Sequence, residues 1–203
     1  MKYVSIDIET TGLDPETCQI IQIGAVIEDT LIQTPVDQLP RFQCLVEHPQ
    51  LSGSPFALRM NSGILEKLGE LERADRNDRS DIRKRHNILP PALVAKSIKM
   101  WLASNGFESH DDAPISITAA GKNFASFDKL FLQKLPGWSS AISIKQRVID
   151  PAILFMDWQK DETLPNLKQC MERAGIEGEV THDALQDAID VVRVIRAAGQ
   201  IAN

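Results

Sequence analysis

The chain has 203 residues, of which 43% are hydrophobic and 25% charged, and its formal net charge is −6. This is the balance of one soluble globular domain of moderate size, and no apolar run approaches the ~18 residues that span a bilayer. The acidic balance argues against tight, nonspecific binding to long duplexes, which relies on a basic surface, but it leaves room for a protein that grips only the end of a nucleic acid and uses metal ions for local positive charge.

The N-terminus enters the first strand directly and shows no basic region, apolar run and cleavage site of a signal peptide. In that strand Val4, Ile6 and Ile8 alternate with Ser5, Asp7 and Glu9, a period of two that sends Asp7 and Glu9 to one face and the apolar residues to the other. Two adjacent carboxylates at the end of a buried strand repel each other unless a proton or a cation neutralises them, and hard divalent ions take such oxygen ligands. Gly12 and Asp14-Pro15 mark a loop from Thr10 to Thr17. Gln19 to Glu28 and Arg41 to Glu47 read as two further strands, which with the first suggest an antiparallel meander. Pro49 to Pro55 is a loop, and Asn61-Ser62 reads as the cap of a helix over Gly63 to Leu71.

From Glu70 to Arg85, eleven of sixteen residues are charged. Two readings stay open for this stretch: a solvated or partly disordered excursion, or a basic lip of Arg83, Lys84, Arg85 and His86 that guides a polyanion. Beyond Leu89-Pro90-Pro91, Ala92 to Ala103 has helical spacing, with Leu93, Ser97, Met100 and Trp101 on one side. A strand is expected over Ile115 to Ala119, a helix over Ser126 to Leu135 with Leu130, Phe131 and Leu135 inward, and a short strand over Arg147 to Asp150. Helices are expected over Ala152 to Trp158, Leu164 to Ala174 and Asp183 to Ala198. Strands first, then alternating helix and strand, give an α/β fold with a mixed sheet flanked by helices. The three cysteines, Cys18, Cys44 and Cys170, fit neither a disulfide framework nor a zinc site, and a reducing, cytoplasmic setting accounts for them.

Two later segments carry chemistry. Asp128 is expected in the first turn of a helix, where the exposed N–H groups favour a carboxylate. Near the C-terminus, Leu185, Ala188, Ile189, Val192 and Ile195 form one helix face, and Asp187 lies beside it. His182, just ahead of that helix, has the side chain whose ordinary pKa suits a general base.

Asp7-Ile8-Glu9, Asn123-x-x-x-Phe127-Asp128 and His182-x-x-x-x-Asp187 together resemble the DEDDh 3′–5′ exonucleases of the ribonuclease H-like superfamily, over residues 4 to about 195. Thr10-Thr11-Gly12-Leu13, Ile20 to Ala25 and Val148-Ile149-Asp150 add to the resemblance. It implies a ribonuclease H-like sheet, antiparallel in its first strands and parallel later, in a single exonuclease domain over 1–203 with a charged insertion at about 70–88. It also implies that Asp7, Glu9, Asp128 and Asp187 hold two Mg²⁺ or Mn²⁺ ions, with His182 as general base and a nucleoside 5′-monophosphate as product. Thr10, Thr11, Gly12, Leu13, Asn123 and Phe127 would contact the terminal nucleotide of a single-stranded DNA or RNA 3′ end. Lys122 departs from the pattern, since many members carry a histidine there; a lysine could hold a phosphate as a point charge. Two other classes remain open: a catalytically silent nucleic-acid-binding or scaffold protein of the same fold, and a metal-dependent phosphohydrolase of small phosphoesters.

Overall fold

The computed structural model describes residues 1–109 and 113–199. Its centre is β1 (Lys2–Thr10), which pairs antiparallel with β2 (Ile20–Asp29), itself antiparallel to β3 (Arg41–Val46). This is the expected meander. Helices α1 (Pro55–Met60), α2 (Ser62–Arg73) and α3 (Arg79–His86) follow, and lead to β4 (Ile88–Leu89), parallel to β3 at the sheet edge. Helix α4 (Pro91–Ser104) then crosses to β5 (Ile115–Ile117) and β6 (Ala119–Ala120). β6 pairs parallel with β1, giving a mixed sheet in the order β4-β3-β2-β1-β6. α5 (Asp128–Leu132), α6 (Trp138–Ala141) and β7 (Ile142–Ile144) come next, and β7 pairs with β5 in a small second sheet. A 3₁₀ turn at Pro151–Phe155 precedes α7 (Leu167–Arg173) and α8 (Ala184–Ala198). Among the described residues no helix is long and apolar enough to cross a membrane.

The sheet is buried on both faces. Val4, Ile6 and Ile8 join Ile23, Ala25 and Ile27 in a core closed by α4. On the other face Tyr3 and Val26 pack with α7 and α8. The period-two pattern of β1 therefore marks no solvent face, because its polar side lies beneath α8. Gly24 makes this approach possible: a Cβ there would lie 2.2 Å from the backbone carbon of Ala184, a distance no side chain can occupy.

Several local expectations are corrected. The stretch from Glu70 to Arg85 is mostly helical: it forms the end of α2 and most of α3, joined by a turn over 74–78. Its charges are paired in part, Arg83 with Glu47 at 2.9 Å, and His86 and Arg85 with Glu70 at 3.1 and 3.9 Å. Ile82 and Leu71 supply the apolar anchor that the charge density hid. On α4 the buried side is Val94, Ala95, Ile98 and Leu102, whereas Leu93 and Met100 are 47% and 62% exposed. This helix carries apolar residues all round, so periodicity alone does not choose its inner face. The helix expected from Ser126 starts at Asp128, after turns that include Asn123 at φ 57°, and this change of phase turns Leu130 outward. The short strand near Val148 reduces to one bridge between Ala120 and Ile149, and the helix expected from Ala152 to the 3₁₀ turn.

At the C-terminal end of α8, Arg196 is buried beneath the sheet. Its Nε donates to Glu28 Oε2 at 2.5 Å and its guanidinium donates to Thr34 O at 2.7 Å. Both partners of this ion pair are 1% exposed. Removing one partner of a buried pair leaves an uncompensated charge, which costs about 3–5 kcal/mol. Arg196→Met is therefore expected to lower the unfolding free energy by about that amount in urea titrations. The double variant Glu28→Leu with Arg196→Met is expected to lose less than Arg196→Met alone.

Candidate active site

The C-terminal end of β1 is the floor of the site. Asp7 faces Gly24 and Glu9 faces Gln22 across the β1–β2 ladder, on the side covered by α8. The register shifts between Glu9 and Thr10, and the strand gives way to the loop that carries Gly12 and Leu13. Such a bulge re-aims side chains where a strand ends beside a cleft. Asp128, the first residue of α5, is buried, and its Oδ1 accepts the backbone N–H of Ile8 at 3.1 Å. That bond fastens α5 to β1 between the two acidic positions of the strand. Asp187 lies in the first turn of α8 and is buried over the same strand end. His182 stands just before α8, exposed and at φ 53°, a left-handed conformation uncommon for a side-chain-bearing residue. Ligand atoms of Glu9, His182 and Asp187 all lie within 4.8 Å of one another.

These residues line one cleft of about 850 Å³, which Asp7, Glu9, Asp128, Asp187 and His182 share. Thr10, Gly12, Leu13, Asn123 and Phe127 line it too, as does Lys122. The Thr10 hydroxyl is committed to Gly12 O at 2.7 Å. Asn123 holds its loop through its N–H to Asp150 Oδ2 at 3.0 Å, and its side-chain oxygen accepts from Lys122. Phe127 packs its ring on Phe131, 5.1 Å between centroids, and also lines the cleft. Thr11 is the exception. It is fully buried outside the cleft lining, and its hydroxyl donates to Ser52 O and accepts the Gln19 N–H at 2.9 Å.

The cleft contains residues that the sequence reading did not single out as site residues. Asn61 was expected to cap α2, but its side chain makes no cap bond. Instead it is buried in the cleft, donates to Thr10 O at 3.1 Å and hydrogen-bonds Glu9. Phe56 and Met60 come from α1, a six-residue helix too short to show periodicity. Gly53 lets the preceding loop dock, since a Cβ there would meet Thr11 O at 2.1 Å, and Ser54 N bonds that same oxygen at 2.8 Å. Phe56 is 75% exposed and Leu13 85% exposed, both at the cleft.

Burial, then the charges of Asp128, Asp187 and Glu9, holds Asp7 well above the usual carboxylate range. Burial and the charge of Asp187 push Glu9 up to about 8, against the hydrogen bond from Asn61. Asp128 rises to about 7 through burial, although the Ile8 N–H works against it. Asp187 rises to about 7 through burial and the charge of Asp190. Among the described residues, its Oδ1 is buried without a hydrogen-bond partner. Crowded carboxylates, one with an orphaned oxygen, form an all-oxygen donor set that suits a hard divalent cation.

These shifts fix the sign of a pH effect. Ordinary carboxylates titrate near pH 4 in the unfolded chain, so between about pH 4 and 8 the metal-free fold binds more protons than the unfolded state. The stability that these four groups contribute is therefore fully present below pH 4 and is lost as pH rises through 7 to 8. In EDTA, the melting temperature is expected to be at least ~5 °C lower at pH 8 than at pH 5, and Mn²⁺ should raise it more at pH 8. A melting temperature that climbs from pH 5 to pH 8 in EDTA would contradict the assignment.

No family profile matches the sequence, and no curated protein matches it. Solved structures do match in fold. The nuclease domain of 3′hExo, a DEDDh family member bound to rAMP, aligns over 98% of this chain and 92% of its own, with a TM-score of 0.60 and 17% identity. A full-length 3′-exonuclease aligns over 98% and 81%, with a TM-score of 0.61 and 18% identity. Escherichia coli exonuclease I in complex with a dT13 oligonucleotide aligns over 98% and 42%, with a TM-score of 0.60 and 15% identity. The chain thus spans less than half of exonuclease I, and it spans 64% of cell-death related nuclease 4, at a TM-score of 0.60 and 14% identity. With its mixed sheet, antiparallel through β3 and parallel at β6, the chain has the ribonuclease H-like fold of the DEDDh 3′-exonucleases.

Proposed function

We propose that the protein is a divalent-metal-dependent 3′–5′ exonuclease of the DEDDh type that removes nucleoside 5′-monophosphates from the 3′ end of single-stranded DNA or RNA. The observation that carries this reading is the convergence of Asp7, Glu9, Asp128, Asp187 and His182 on one cleft, from three separate chain segments. A degenerate binding protein would be free to lose any of the five.

In this reading Asp7, Glu9, Asp128 and Asp187 hold two Mg²⁺ or Mn²⁺ ions. When bound, such a pair stabilises the charge that develops on the attacking and leaving oxygens of an in-line phosphoryl displacement. His182 accepts a proton from the attacking water as the water oxygen bonds to phosphorus. The bond from phosphorus to the 3′-oxygen of the penultimate nucleotide breaks, and that oxygen takes a proton from solvent. Asp128 keeps β1 and α5 in register through its bond with Ile8 N. Asn61 holds Glu9 and the Thr10 carbonyl on the opposite wall.

Leu13 and Phe56 supply apolar surface for the terminal base. Exposed apolar side chains grouped at one cleft offer a surface that a flat ligand can cover, and stacking of this kind tolerates any base. Thr10, Gly12, Asn123 and Phe127 complete the terminal pocket, and Lys122 offers a cation to a phosphate. Thr11 acts behind them as a strut for the loop from Ser52 to Ser54. The three free cysteines suit a reducing compartment, and a cytoplasmic location belongs to the same proposal.

Digestion of 5′-labelled single-stranded oligonucleotides with Mg²⁺, Mn²⁺ or EDTA tests the reaction. The expected product is a ladder shortening by one nucleotide at a time that EDTA abolishes. Asp7→Ala should remove turnover, and His182→Ala should lower it about 10²–10⁴-fold. Intact substrate with folded wild-type protein under every condition would refute the proposal. Phe56→Ala should raise KM about 5- to 150-fold, equivalent to ~1–3 kcal/mol of lost stacking, on all four homopolymers alike.

A further inference from the structure

The start of α8 is tied to the sheet by more bonds than a helix cap needs. Asp183 is the residue between His182 and α8, and its Oδ1 accepts the N–H groups of Leu185 and Gln186, both at 3.1 Å. That alone satisfies an ordinary N-cap. Two glutamine amides also converge on the same carboxylate. Gln22 Nε2 donates to Oδ2 at 2.9 Å, and Gln43 Nε2 lies 3.2 and 3.3 Å from Oδ2 and Oδ1. Gln22 is fully buried, and its Oε1 accepts the N–H of Ala184 at 3.1 Å. Its amide is thus held at both ends and cannot reverse without opposing two donors.

The placement of these glutamines follows from the sheet register. Glu9, Gln22 and Leu45 form one cross-strand row, and Asp7, Gly24 and Gln43 form the next. Partners across a ladder point to the same face, so Gln22 and Gln43 stand on the face that carries the two acidic residues of β1. Gly24 lets the backbone of Ala184 and Leu185 rest on the strand between them. The carbonyl of Asp183 accepts the Asp187 N–H at 2.9 Å. Asp183 is therefore bonded directly to Asp187 and joined covalently to His182.

We propose that Asp183, clamped by Gln22 and Gln43, is the positioning residue that sets His182 and Asp187 over the end of β1. The proposal rests on the reading of His182 as base and Asp187 as metal ligand. As a cap alone, an asparagine would serve as well and would spare the site a charge, since Asp183 adds to the repulsion felt by Asp7, Glu9 and Asp187. A locally unfavourable choice of this kind is expected where geometry for chemistry outweighs stability. The clamp also reaches the charged helices. Asn87, the left-handed cap of α3, donates its side-chain amide to the Gln43 carbonyl, beside a polar pocket of about 210 Å³ that Gln22, Gln43, Lys67, Arg85 and His86 line. The segment at 70–88 thus supports the histidine loop through Gln43.

Asp183→Asn tests this. The asparagine oxygen can still cap α8, so the melting temperature should stay within a few degrees, but its amide meets the fixed Gln22 donor. The expected result is a 10- to 100-fold loss both in kcat and in Mn²⁺ affinity titrated without substrate, with KM for the oligonucleotide within about twofold of wild type. Gln22→Ala combined with Asp183→Asn should be no worse than Asp183→Asn alone, because the two act as a unit. The imidazole resonances of His182, identified by their loss in His182→Ala, should shift or broaden in metal-free Asp183→Asn. Unchanged imidazole resonances, or wild-type kcat and Mn²⁺ affinity in Asp183→Asn, would overturn the positioning role. Altered resonances in a protein whose wild type cuts no oligonucleotide would instead refute the exonuclease reading and leave the clamp standing.

Discussion

The repulsion among Asp7, Glu9, Asp128 and Asp187 is the constraint on which the rest of this structure depends. Four carboxylates share one cleft, and burial raises all of them before any charge acts. Left to itself such a cluster would spread, because like charges in a poorly solvated site gain energy by moving apart. It stays together because its members stand on three elements, one strand and two helices, that are fixed to one another. Asp7 and Glu9 belong to the central strand, which is buried on both faces. Asp128 is tied to that strand by Ile8 N, and Asp187 is carried by a helix seated on Gly24.

Helix α8 meets this demand by being held at both ends. At its start, the carboxylate of Asp183 gathers donors from β2, β3 and the first turn of the helix. At its other end, Arg196 reaches under the sheet to Glu28 and Thr34. Between them the buried run from Ala188 to Ile195 packs on Tyr3 and Val26. Hydrophobic packing alone would allow the helix to slide or turn by small amounts at little cost, since apolar burial is not directional. The two polar anchors restrict that freedom, each with buried side chains that have no equally good alternative. A buried ion pair thus fixes the end of α8 far from the cleft, and the Asp183 carboxylate fixes the end that carries His182 and Asp187.

Much of this was legible in the sequence, and the physical reason is the same in each case. The alternation in β1 and the long apolar face of α8 are strong periodic signals, and they carry three of the four carboxylates. Asp128 was legible through its place after a strand and before a helix. What escaped lies where local signals are short or ambiguous. Asn61 is an ordinary cap residue, so nothing in the chain shows that its side chain turns into the cleft. Phe56 sits in a helix of six residues, below the length at which period can be read. Thr11 shares the Thr-Thr-Gly run with cleft residues, yet the turn of the chain sends its hydroxyl inward. Gln22 and Gln43 look like polar interruptions of apolar strands until the register sets them beside Asp7 and Glu9. The charged stretch at 70–88 hides its helices because Leu71, Ile82 and Ile88 are too sparse to form a visible stripe, although they close a small core of their own.

Charge also defines the way the proposed enzyme can hold its substrate. The chain carries a net charge of −6, and the cleft concentrates acidic side chains at the point where the proposed reaction would bring a phosphate. Part of the positive charge of α3 is already paired, Arg83 with Glu47, and Arg85 and His86 with Glu70. Long-range steering of a polyanion is therefore weak, and attraction has to arise locally, from cations held by the same carboxylates that would otherwise repel the strand. A site of this kind gains little from a long phosphate backbone running over the surface. In the proposed reading its grip would come from what fits inside the cleft: one phosphate at the acidic floor and one base against Leu13 and Phe56. That favours recognition of an end over recognition of a duplex, and it makes a small, acidic protein a workable scaffold for an enzyme that meets nucleic acid one terminal nucleotide at a time.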